Sequence, residues 1–139
     1  MKLFVKKLNS EAVIPTRAHT DDAGSDLYVN GKQIITAHTT MAVGTGISME
    51  IPNGFVGLIW DKSSVGAKGL KTLGGVIDSG YRGEVKVVVH NLTNDDIVFE
   101  HGQKLAQILI QKVELLDIEE VEELSETKRG EGGFGSTGR

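Results

Sequence analysis

A chain of 139 residues, 39% of them hydrophobic, is long enough for one domain to bury most of its apolar surface without metal or disulfide staples. It contains no cysteine, which excludes a disulfide framework, a thiolate metal site and a cysteine nucleophile, and which fits a cytoplasmic protein. The formal net charge of −4 argues against non-specific nucleic-acid binding, which draws on clustered Lys and Arg, and no apolar run approaches the roughly 20 residues that span a bilayer. Neither nucleic acid nor membrane is therefore expected as a partner.

The first residues, MKLFVKKLNSEAVIP, interleave lysines with apolar side chains, the pattern of a strand over residues 3–8 and not of a signal peptide. Short β-branched runs follow at residues 25–28, 40–51, 54–60, 84–91 and 105–116, separated by Gly, Asn, Asp and Ser. With 18 glycines and few aromatics, they predict an all-β sandwich or barrel with little helix. Asn53-Gly54 is a tight-turn signal between two of these strands. Residues 84–91, EVKVVVHN, alternate only in part, and the VVV run predicts a strand covered on both faces, inside a sandwich or at a subunit interface. Residues 117–126, DIEEVEELSE, are acidic, and half of residues 130–139 are glycine, so neither segment builds a core.

Five segments carry candidate chemistry. Residues 22–27, Asp-Ala-Gly-Ser-Asp-Leu, taken alone are a turn whose carboxylates cap backbone N–H groups. Residues 62–66, Lys-Ser-Ser-Val-Gly, offer a cation, two hydroxyls and a turn whose amides form a concave anion site. Residues 75–84, GVIDSGYRGE, combine a strand with a carboxylate and an aromatic ring. Residues 102–108, GQKLAQI, open a strand bearing Lys104 and Gln107. Residues 129–138, RGEGGFGSTG, are rich in glycines that adopt positive φ readily and expose amides, yet lack the Gly-Lys-Ser/Thr ending of a Walker loop.

Together, and in this order, the five segments resemble the five motifs of the trimeric dUTP diphosphatases, with the third and fifth blocks matching almost position for position. The resemblance runs from Ala23 to Gly138 and implies an all-β, distorted jelly-roll or β-clip barrel. It implies residues 1–128 as the jelly-roll domain and 129–139 as a flexible glycine-rich lid. It further implies a homotrimer that exchanges its C-terminal strand and tail between subunits and holds three active sites between chains. The implied reaction is hydrolysis of dUTP to dUMP and pyrophosphate with Mg2+.

Carried over residue by residue, the resemblance makes Asp78 the catalytic carboxylate that orients water toward the α-phosphorus. The block around it is a β-hairpin in the family. Gly75, Val76 and Ile77 would take the uracil through main-chain groups, and Tyr81 would pack under the deoxyribose and leave no space for a 2′-hydroxyl. Lys62, Ser63, Ser64, Lys104 and Gln107 would contact the phosphates. Asp26 would organise magnesium indirectly, through water. From the tail, Arg129, Gly135 and Ser136 would reach the terminal phosphates while Phe134 stacks on the base. Lys62 and Lys104 depart from the family, which usually has arginine there, and offer point charges in place of planar guanidinium forks.

Two other readings share the fold. A dCTP deaminase resembles this chain around Lys62-Ser63-Ser64 and Ile77-Asp78, but its catalytic glutamate falls at Val88, which cannot move protons. A non-catalytic nucleotide sensor is the alternative that the two lysine departures keep open.

Overall fold

The computed structural model describes residues 1–133. Eleven strands follow one another as β1 (Phe4–Lys7), β2 (Ser25–Tyr28), β3 (Gln33–Ile35), β4 (Thr40–Gly44), β5 (Ile47–Glu50), β6 (Phe55–Asp61), β7 (Leu70–Leu73), β8 (Val76–Ile77), β9 (Lys86–Asn91), β10 (Ile97–Phe99) and β11 (Lys104–Lys112). A single helical turn, α1 (Ser63–Gly66), sits between β6 and β7. All pairings are antiparallel and form four small sheets: β1-β5, β10-β3, β2-β11-β6-β8 and β4-β9-β7. The all-β expectation therefore holds.

The core lies between the inward faces of these sheets, where Leu27, Ile35, Val43, Ile47, Val85, Val87, Val89, Leu105 and Ile108 are buried. On β9 the burial alternates cleanly: Val87, Val89 and Asn91 are buried while Val88 and His90 are half-covered. The VVV run thus belongs to the middle strand of a sheet whose outer face is partly covered within one chain. The run at 40–51 is split, because Thr45-Gly46 breaks it into β4 and β5 in different sheets, with Gly46 at φ +68°. The last strand stops at Lys112, and described residues beyond it carry neither helix nor strand.

One irregularity shapes the site. Opposite β2 the register of β11 jumps between Lys104 and Ala106, so Leu105 is an extra residue in a β-bulge. Leu105 and Ala106 are consequently both buried, although neighbours on a regular strand face opposite sides. The bulge also brings Lys104 and Gln107, an odd three positions apart, to bear on the same region beside β2.

Beneath this, Asn91 ties three segments together while fully buried. Its Nδ2 donates to the carbonyls of Ile35 at 2.9 Å and Asp95 at 2.8 Å, and its Oδ1 accepts from the N–H and hydroxyl of Thr93. Asn91→Ala strands these groups without water, and we expect it to lower the unfolding free energy by about 3 kcal/mol in urea titrations. A loss below about 1 kcal/mol would show that the buried network contributes little to the net stability.

Candidate active site

The middle of the β2-β11-β6 sheet sets one cross-strand row, in which Asp26 faces Gln107 and Gln107 faces Trp60. Asp26 is 6% exposed. Lys62 Nζ lies 2.7 Å from its Oδ1 and Lys104 Nζ 2.6 Å from its Oδ2. Burial alone would raise the Asp26 pKa, but the hydrogen bonds and charges of Lys104 and Lys62 outweigh it and hold the carboxyl below its ordinary value. The same bond to Asp26 raises the pKa of Lys104. One carboxylate between two ammonium groups leaves one positive charge in excess.

Around this row runs an open groove of about 460 Å3, lined among others by Gly24, Asp26, Asp61, Lys62, Ser63 and Gln107. Gln107 Nε2 donates to the Asp61 carbonyl at 3.0 Å, and its Oε1 lies over Gly24, where a Cβ would come within 2.2 Å of that oxygen. Glycine at 24 is thus what lets the amide of Gln107 stand in the groove. Ser63 lines the groove, whereas Ser64 is exposed outside its lining.

Asp61 was not singled out in the sequence, yet it holds the 62–70 loop closed. Its Oδ1 accepts the Thr72 N–H at 2.7 Å and its Oδ2 pairs with Lys71, so the end of β6 is tied to β7 across α1. Burial pushes its pKa up, but Lys71 and Thr72 outweigh it and hold the carboxyl low. The one available signal was an acidic residue standing immediately before Lys-Ser-Ser.

The 75–84 block forms a separate feature. Strand β8 pairs with β6 and lies at the edge of its sheet, so one side of its backbone is unpaired among the described residues. Gly75 precedes it at φ +98°, where a Cβ would come within 2.9 Å of the Ile59 carbonyl, so glycine is required. The Gly75 carbonyl accepts the Ile59 N–H at 2.8 Å and is not free for a ligand. The block is not a hairpin of two paired strands: after Ile77 the chain turns, with Tyr81 N–H donating to the Asp78 carbonyl at 3.0 Å, and the next strand begins at Lys86.

Asp78 is exposed, and Tyr81 is 45% exposed, so neither belongs to the core. The Tyr81 hydroxyl donates to the Glu84 carbonyl at 3.0 Å. With Val76, Ile77, Glu84 and Lys86 these two line a second cavity of about 210 Å3, which shares no lining residue with the groove at Asp26. A larger apolar groove of about 530 Å3, lined among others by Leu3, Val5, Ile14, Ile108 and Ile110, holds none of the expected site residues.

Arg129 is exposed and turns back on itself, its Nε donating to the Gly132 carbonyl at 2.9 Å; it lines neither cavity. Phe134, Gly135 and Ser136 lie outside the described residues. Among the described residues no three His, Asp or Glu side chains converge as metal ligands, and no helix is long and apolar enough to cross a membrane.

A cation-flanked carboxylate in one groove and an edge strand with a carboxylate and a phenol in another mark out a small antiparallel β domain with two polar cavities. Comparison with known proteins narrows this. The dUTPase family matches residues 10–138, and the chain belongs to that family. A deoxyuridine 5'-triphosphate nucleotidohydrolase from Corynebacterium glutamicum is 45% identical over 139 residues, covering 97% of this chain and 93% of its own length. The protein of the same name from Paramecium bursaria Chlorella virus 1 is 42% identical, with 98% and 97% covered. Among solved structures, a mutant Staphylococcus bacteriophage 80alpha dUTPase with dUpNHpp matches at a TM-score of 0.91 and 29% identity over 99% of each chain.

The Asp26 site carries a pH signature. A carboxyl whose folded pKa lies below its ordinary 3.8 contributes stability that is fully present above that value and is lost as pH falls toward the folded value. The stability gap between the protein and Asp26→Asn is therefore expected to be constant at neutral pH and to shrink below pH 3.8, as read by thermal unfolding at a series of pH values. A gap that does not change with pH would rule out an ionised Asp26 as the stabilising form.

Proposed function

We propose that the protein hydrolyses dUTP to dUMP and pyrophosphate, with Asp78 orienting the attacking water. The observation that carries this is the 210 Å3 cavity where Asp78 and Tyr81 stand beside the unpaired edge of β8. A strand edge offers N–H and C=O groups at a spacing suited to the polar edge of a pyrimidine, so Val76, Ile77 and the N–H of Gly75 read the uracil. The Tyr81 ring packs against the deoxyribose and excludes a 2′-hydroxyl. At the end of β8, Asp78 accepts a hydrogen bond from a water and takes its proton as the water oxygen attacks the α-phosphorus. The bond from that phosphorus to the bridging oxygen breaks, and pyrophosphate leaves.

The triphosphate lies along the groove lined by Lys62, Ser63 and Gln107, with Lys104 reaching it from the other oxygen of Asp26 and Ser64 from the turn beside it. Each ammonium uses one N–H on Asp26 and keeps two for phosphate oxygens, which suits Lys62 and Lys104 to this role. Magnesium belongs to the same reading, and the residues fit it as an ion held mainly by the phosphates. Asp26 is already bonded to two lysines and would reach an ion only through water. The bound ion would offset charge that develops on the phosphates. A dUTPase mutant from phage phi11 of S. aureus coordinates a structural Mg(II) ion. The segment 129–139 closes over the nucleotide, with Arg129, Gly135 and Ser136 on phosphate and Phe134 on the base, and expels water. The reading places the enzyme in the cytoplasm.

A homotrimer with shared sites completes the proposal. Its support is that the nucleoside cavity and the phosphate groove of one chain share no lining residue, as expected where each site draws on more than one copy. Beyond β11, Leu115, Leu116, Ile118 and Leu124 are exposed, while the apolar groove by Leu3 and Ile110 is open to receive such a segment from another copy. Light scattering at micromolar concentration is expected to give three times the 14.9 kDa chain mass, and a monomer would count against the shared site.

A dCTP deaminase is not favoured, since Val88 is an apolar, half-buried residue of β9 at the position where that enzyme needs its glutamate. The test of the main reading is pyrophosphate release with dUTP, dCTP, dTTP and UTP in the presence of magnesium. Release from dUTP alone is expected. Asp78→Asn, which keeps the shape and removes the base, is expected to lower kcat about 10³-fold while dUTP binding, measured by calorimetry, is retained. Unchanged turnover in that variant would remove Asp78 from the role of activating water, and tight binding without turnover in the parent protein would make it a nucleotide sensor.

A further inference from the structure

The phenol that lines the nucleoside cavity rests on a residue to which no role has been assigned. A Cβ on Gly83 would lie 2.4 Å from the Tyr81 Oη, 2.6 Å from its Cζ and 2.9 Å from its Cε2, so the outer end of the ring sits directly against the backbone of residue 83. The conformation of the chain does not demand glycine here, since Gly83 lacks the left-handed φ of Gly74 and Gly75. Core packing does not demand it either, because residue 83 is exposed. Beyond the adjoining residues, the atoms nearest to that Cβ all belong to the Tyr81 ring. The ring lines the cavity and Gly83 does not, so the main chain at 83 backs the ring.

The surrounding bonds decide how the ring would answer a push from behind. At its base, Tyr81 N–H donates to the Asp78 carbonyl at 3.0 Å, and the Arg82 guanidinium closes the same turn by donating to the carbonyls of Ser79 at 2.6 Å and Tyr81 at 3.0 Å. At its tip, the hydroxyl donates to the Glu84 carbonyl at 3.0 Å. That carbonyl shares one planar peptide with the Val85 N–H, which is oriented by donating to the Ile47 carbonyl at 2.8 Å. Main chain is therefore held on both sides of Gly83, and the side-chain torsions of the half-exposed Tyr81 are what can yield. Non-bonded carbon atoms settle at roughly 3.5–4.0 Å, so a methyl group at 83 would drive the end of the ring back by about 1 Å, off the Glu84 carbonyl and into the cavity.

We propose that Gly83 is a positioning residue for the sugar: by carrying no side chain it lets the Tyr81 ring lie back on the main chain and leaves the cavity deep enough for a 2′-deoxyribose. This role rests on the reading that Tyr81 faces the deoxyribose. Selection by shape needs room for the right sugar as well as a wall against the wrong one, and a shift of about 1 Å in that wall is enough to lose it.

A double-mutant cycle tests the contact. It measures kcat and KM for dUTP and UTP, with thermal unfolding, in the parent protein, Gly83→Ala, Tyr81→Ala and the variant carrying both substitutions. Gly83→Ala is expected to lower kcat/KM for dUTP about tenfold, mainly by raising KM, and to narrow the dUTP to UTP preference by a similar factor. In the Tyr81→Ala background the added methyl meets no ring, and it is expected to change kcat/KM for dUTP by less than about twofold.

Two failures are distinguishable. If Tyr81→Ala keeps the preference for dUTP over UTP, Tyr81 does not face the sugar and the underlying reading is wrong. If Tyr81→Ala loses the preference while Gly83→Ala leaves dUTP turnover unchanged, or lowers it by the same factor with and without the ring, Gly83 does not act through Tyr81 and the proposal is overturned. Should Gly83→Ala fail to fold, the double variant decides: folding recovered when the ring is removed supports the contact, and loss of folding in both overturns the role.

Discussion

A nearly buried carboxylate gripped by two ammonium groups is the contact on which the groove beside β2 depends. Alone, Asp26 would be driven to pick up a proton, because burial penalises the charged form. With Lys62 and Lys104 on its two oxygens it stays ionised, and three separate segments are pinned at one point: β2, the turn after β6 and the start of β11. Remove either lysine and the remaining pair has no excess positive charge for an anion to find. The lysines are thereby spaced by Asp26, which matters more for a flexible four-carbon stem than it would for a guanidinium fork with a fixed geometry of its own. Lys62 and Lys104 are thus both tethered to a common acceptor.

The arrangement was only partly legible in the sequence. Strand β2 was read at its observed bounds, and the all-β class followed from turn residues and short β-branched runs. Strands β3, β7 and β10 have three or four residues each, too few to display a period of two, and they were missed. The bulge at Leu105 was equally invisible, yet it decides that Lys104 and Gln107 both serve Asp26's side of the sheet. On a regular strand a spacing of three would have sent them to opposite faces.

Resemblance named the site residues but could not say which of them meet within one chain. Lys62 and Asp26 are 36 positions apart and bonded, a fact that only the pairing of β2, β11 and β6 produces. Asp78 and Ser63, which the family pattern assigns to one reaction, line different cavities here. Asp61 escaped attention because its partners, Lys71 and Thr72, lie on a strand too short to be predicted.

The edge strand limits what can pair beside the second cavity. An unpaired strand edge invites pairing with any other backbone, and proteins limit that hazard by keeping such strands short or by covering them. Strand β8 has two residues, is preceded by a glycine whose carbonyl is already taken and is followed at once by the Asp78 turn. Its open edge is thus only two residues long. That edge points away from β6, whereas Lys62, Ser63 and Asp61 follow from the far end of β6 itself.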